Sequence, residues 1–141
     1  MKERIKDKIK EITEFLEFLS QRVPDTLEEY KSNLEKKAIC ERYFEKVIEA
    51  IVDLSFLLIR HLKIEIPAET SDTEIFYILA EKHIISKSLA ENMADAKGMR
   101  NIIAHEYGKI DDNIVFEAVS CELQKDTDEF IKSVEKAINA E

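Results

Sequence analysis

The chain has 141 residues, a formal charge of −9, and two each of Gly, Pro and Cys. So little Gly and Pro beside 36% charged residues points to long helices joined by short connections. The length suits one domain spanning residues 1–141. No apolar run reaches the roughly 20 residues of a membrane span, and the charged stretch from Met1 to Lys10 is no signal peptide. A cytoplasmic protein is therefore expected. Strong net acidity argues against a general nucleic-acid binder. Cys40 and Cys121 stand apart and read as free thiols. No His/Cys/Asp/Glu grouping has metal-ligand spacing, so neither a metal nor another cofactor is expected.

Taken in order, Lys2 to Gln21 carries Ile5, Ile9, Ile12, Leu16 and Leu19 in steps of three and four, a helical stripe. Pro24 stops it, and Asp25 or Thr26 offers an N-cap for the next helix. Apolar positions from Leu27 to Leu62 predict a very long helix that bends or breaks between Tyr30 and Lys37. From Tyr43 to Ile59 it is apolar on nearly two faces, as suits a central helix. Asp53 sits inside this apolar stretch, as a surface carboxylate or as a buried partner for Arg100. His61 reads as a last-turn surface histidine.

Ile64 to Thr70 is a loop. Ser71 or Asp72 then caps a short helix that ends near His83, a structural histidine. Ser86 caps a helix whose inner stripe is Leu89, Met93, Ala96, Met99 (or Arg100) and Ile103. After Gly108, a natural C-terminal cap, one of Asp111, Asp112 and Asn113 caps a final helix running to about Ala140. Together these segments predict an all-α antiparallel bundle of four or five helices.

The chemistry concentrates between Arg100 and Tyr107. Arg100 offers a fork of donors matched to phosphate oxygens. His105 can exchange a proton near neutral pH. Asn101 adds an amide and Tyr107 a phenol. A cation and a proton-transfer group form a minimal kit for RNA cleavage without a metal. Five residues subtend roughly 140° on an α-helix, so Arg100 and His105 share no face of a straight helix. Either the helix ends near Ala104 and His105 turns back, or two copies meet across a symmetric interface. Around this segment five cations (Lys82, Lys87, Lys97, Arg100, Lys109) outnumber three anions (Glu91, Asp95, Glu106). That could be a local phosphate-binding patch or an ordinary solvated face.

Arg100, His105 and Tyr107 meet the pattern R-x-x-x-x-H-x-Y, and the run from Met93 to Tyr107 resembles the "MAGLRNxxVHEY" block of the HEPN superfamily. The likeness is closest to the HepT-like toxins paired with minimal nucleotidyltransferases (MNT). Glu49 to Leu54 looks like that family's "EAxxDL" helix, Pro67 and Leu79 to Ile85 like its "P…LAexgII" stretch, and Ile110-Asp111 like its "yxxID". His83 departs from the usual small residue, outside the motif. The resemblance implies a metal-independent ribonuclease toxin acting on RNA as a homodimer. In it, Arg100 and His105 of both subunits would be catalytic and Asn101 and Tyr107 would contact substrate. A cognate MNT antitoxin would adenylylate Tyr107. The alternative is a non-catalytic partner or substrate-binding subunit of the nucleotidyltransferase.

Overall fold

The computed structural model describes residues 1–105 and 110–140; among these there is no strand. The elements are α1 (Lys2–Ser20), α2 (Leu27–Ser32), α3 (Leu34–His61), α4 (Glu74–Glu81), α5 (Lys87–His105), α6 (Asp112–Glu117), a π-helical segment (Ala118–Glu122) and α7 (Leu123–Asn139). The last three run on as one rod, so among the described residues six rods, against the four or five helices expected, make an all-α bundle. The extra one is the short α2, which the break at Asn33 sets apart from α3. No helix of the described residues is long and apolar enough to cross a membrane.

Side-chain caps set the boundaries. Thr26 Oγ1 accepts from the Glu29 N–H at 3.1 Å, and Asn33 Oδ1 accepts from the Lys36 N–H at 3.1 Å. Asn33 itself is extended (φ −101°, ψ 92°), so the expected break of the long helix falls there, inside the window from Tyr30 to Lys37. Ser71 Oγ accepts from Glu74 N–H, Ser86 Oγ from Leu89 N–H and Asp111 Oδ1 from Asn113 N–H. Each satisfies a donor that the first helical turn leaves open. His83, expected to be structural, has φ 60° just past α4, and its N–H bonds to Ala80 O at 3.0 Å. It closes α4 in the left-handed conformation that glycine usually supplies.

The core centres on α3. Phe44, Val47, Ile48, Ile51, Leu54 and Leu58 are at most 1% exposed, and full burial of each such side chain stabilises by roughly 1.5–3 kcal/mol. Ser55 is buried among them with its hydroxyl donated to Ile51 O at 2.8 Å. α1 makes the largest interface with α3 and runs antiparallel to it: Phe18 stacks on Tyr43 at 4.3 Å, while Lys8 lies 3.7 Å from Asp53. Cys40 is buried and Cys121 exposed, both free. Burial pushes the Cys40 thiol up to about 11, with help from Glu41.

The C-terminal rod departs from the expected single α-helix. Its inner residues Val115, Val119, Leu123 and Thr127 are spaced by four, a spacing that drifts about 40° per step around an α-helix. The wider i→i+5 turn of the π segment takes up this drift. Phe130, Val134 and Ile138 beyond it therefore still reach the core.

Candidate active site

α5 carries the motif. It begins at the Ser86 cap and continues unbroken through Arg100 to His105. It packs on α3, α4 and α7. Of the expected inner stripe, Leu89, Met93 and Ile103 are buried, while Ala96, Met99 and Arg100 are half-buried. Lys97, counted above among the cations of a surface patch, is instead buried at 6% exposure.

An ammonium removed from water costs several kcal/mol unless closely paired. Lys97 Nζ lies 2.9 Å from Glu49 Oε1 on α3 and 3.2 Å from Asp72 Oδ2 in the turn before α4. One side chain thus ties α5 to two other parts of the bundle. Arg100, three residues on, joins the same group. Its Nε is 2.6 Å from Glu49 Oε1, a close ionic approach whose angle is not that of a hydrogen bond. Its Nη1 donates to Asn101 Oδ1 at 3.3 Å. The Arg100 side chain is 21% exposed, so a guanidinium edge remains within reach of a ligand.

Asp53 is therefore not the partner of Arg100. It lies one turn further along α3, is 62% exposed and faces Lys8 of α1. Glu49 takes the role considered for Asp53, because the axial offset between α3 and α5 brings Glu49 level with Arg100. The patch of free positive charge is correspondingly smaller, since Lys97 is neutralised inside the fold.

His105 is the last residue of α5 and is exposed. α5 ends one residue past Ala104, but His105 is still helical and does not turn back, so Arg100 and His105 lie roughly 140° apart around its axis. Asn101 is exposed beside Arg100. Tyr107 and Gly108 lie outside the described residues. On another flank of α5, a cleft of about 220 Å³ is lined by Met93, Met99, Leu123, Asn92 and Asp126; neither Arg100 nor His105 lines it. No group of His, Cys, Asp and Glu among the described residues could hold a metal ion.

An all-helical bundle that presents an R-x-x-x-x-H pair from one packed helix defines a HEPN-type protein. The model of the family described as ribonuclease HepT-like matches residues 5–134, and the chain belongs to that ribonuclease family. A tRNA nuclease HepT of Aphanizomenon flos-aquae is 31% identical over 121 residues, covering 86% of this chain and 81% of the relative. An mRNA nuclease HepT of Shewanella oneidensis is 30% identical over 87 residues, covering 62% of this chain and 63% of the relative. A solved structure of a tri-AMPylated HEPN toxin of Shewanella oneidensis, in complex with an MNT antitoxin, superposes with a TM-score of 0.84. It is 25% identical, and the match covers 94% of this chain and 96% of that one.

Proposed function

We propose that the chain is a cytoplasmic endoribonuclease toxin that cleaves RNA without a metal, in a cleft completed by a second copy. The observation that carries this reading is the orientation of α5: Arg100 faces Glu49 while His105 is exposed at the helix end. One straight helix cannot aim both groups at one phosphate, whereas two chains related by a twofold axis can. His105 takes the proton of a ribose 2′-OH as its oxygen attacks the adjacent phosphorus. Arg100 stabilises the negative charge that develops on the phosphoryl oxygens. The P–O5′ bond breaks and an imidazolium returns a proton to the departing 5′-oxygen, leaving a 2′,3′-cyclic phosphate and a 5′-hydroxyl. Asn101 orients the substrate, and Tyr107 contacts it.

The silencing partner is a nucleotidyltransferase of the MNT type, in keeping with the solved complex of the HEPN toxin and MNT antitoxin. Attack of the Tyr107 phenol on the α-phosphate of ATP transfers AMP and releases pyrophosphate. The adduct adds bulk and negative charge beside Arg100 and His105 and so opposes RNA entry.

RNA cleavage with metal chelated, compared across wild type, Arg100→Ala and His105→Ala, tests this. Each substitution is expected to lower the rate by roughly 10²–10⁴-fold. Mixing the two variants should recover part of the activity, because one chain supplies the arginine and the other the histidine. Cleavage that survives both substitutions removes the assignment. Incubation with the nucleotidyltransferase and ATP should add AMP mass to Tyr107; a gain elsewhere removes the silencing step.

A further inference from the structure

We propose that Glu49 is a positioning residue for Arg100, and that Lys97, anchored by Asp72, prevents Glu49 from discharging the guanidinium it holds. The proposal rests on the catalytic reading of Arg100 given above and adds two residues to it.

An arginine side chain has several rotatable bonds and about 2 kcal/mol of rotamer entropy. An unrestrained guanidinium would spend much of that freedom each time it met a phosphate. Here two contacts reduce it. Glu49 Oε1 sits 2.6 Å from Nε, and Asn101 Oδ1 accepts from Nη1 at 3.3 Å. Nη2 and the second N–H of Nη1 are left for phosphate oxygens. A carboxylate alone against Arg100 would also cancel its charge and weaken its hold on an anion. The Glu49 oxygen that touches Arg100 is, however, the same oxygen that accepts from Lys97 at 2.9 Å. Lys97 and Arg100 are three residues apart and thus neighbours on the α5 surface. Two cations therefore divide one oxygen. Asp72, 3.2 Å from Lys97 Nζ, balances the lysine and holds its ammonium in place. Orientation comes from Glu49, and the charge left on Arg100 is set by Lys97.

A purely architectural network would only clamp α5 to α3, and the two roles separate in kinetics. Glu49→Gln keeps the shape and removes the charge. It is expected to lower kcat for RNA cleavage by roughly ten- to a hundredfold, as misplacement of a catalytic group does, without raising KM. Lys97→Met leaves Glu49 wholly to Arg100 and is expected to raise KM several-fold with a smaller change in kcat. In an Arg100→Ala background Glu49→Gln should cost nothing further, because its effect passes through Arg100. An equal loss in both backgrounds, or a loss confined to KM, overturns the proposal.

The ¹⁵N–¹H signal of Arg100 Nε, assigned by its disappearance in Arg100→Lys, supplies a readout independent of RNA and of activity. It should shift in Glu49→Gln; an unmoved signal overturns the contact. Should wild type cleave no RNA, the catalytic reading falls and the positioning role in that reaction falls with it. The Nε signal would still decide whether Glu49 holds Arg100.

Discussion

α3 and α5 lie against each other but are fixed in place by different forces. α3 buries twelve residues, of which only Ser55 is polar. α5 buries five, one of them a lysine. Apolar burial is non-directional and scales with area, so it holds α3 firmly without specifying a register to a fraction of a turn. The Asp72–Lys97–Glu49–Arg100 group is directional, and a shift of one residue would break it. The helix that carries the proposed chemistry is thus the one whose placement depends on named atom pairs.

The contrast can be broken first at α3. Leu54→Ala removes a side chain with no exposure and is expected to destabilise the fold by about 2–5 kcal/mol, read as a fall in the urea midpoint. Lys97→Ala comes next. It strands two carboxylates, but Glu49 and Asp72 are 39% and 44% exposed. The cost should therefore be about 2 kcal/mol, below the range for breaking a fully buried pair. Lys97→Met should cost less, because its apolar chain refills the space. If Lys97→Ala proves as costly as Leu54→Ala, the charge group is a main support of the fold and the distinction between the helices disappears.

The smallest effect concerns Glu41, a half-buried carboxyl on α3 itself. Desolvation raises its pKa, Lys37 opposes the rise, and Asp112 and Glu45 add to it. A raised folded-state pKa favours the protonated form in the fold. The stability this contributes is fully present below the unfolded carboxyl's ordinary range and is lost as pH rises through the folded value. Glu41→Gln should therefore raise Tm by roughly 1–2 °C at pH 7, and the gain should shrink on acidification. A gain that grows toward low pH would contradict the sign.

Much of this architecture was legible in the residues. Thr26, Ser71, Ser86 and Asp111 cap helices where Ser, Thr and Asp precede apolar periodic runs, and Asn33 breaks the long helix inside the expected window. Lys97 was hidden by its own chemistry: it lies four residues after Met93 and seven after Ala90, squarely on the buried stripe, yet a lysine reads as solvated. Of the two readings of Asp53 the surface carboxylate is the one the structure shows, and the partner of Arg100 lies one helical turn earlier, at Glu49. Periodicity tells which face a residue occupies, and both carboxylates sit four apart on α3; it does not tell how far one helix slides along another. The π segment left no readable signature, because steps of four are also common in ordinary helices. Tyr107, the residue proposed for modification, lies outside the described residues.

That π segment has a consequence for how the chain tolerates length changes. It works as a phase adjuster between two stretches of one rod, each with its own angular setting. Excising a single residue from Ala118–Glu122 would let the wide turn close as an ordinary i→i+4 turn and leave the angular setting downstream nearly unchanged. Phe130, Val134 and Ile138 would still face the core, whereas a residue excised from within α7 would turn those beyond it by about 100°. A single-residue deletion should accordingly be borne here, as in the turns around Pro24 and Pro67, long before it is borne inside α7.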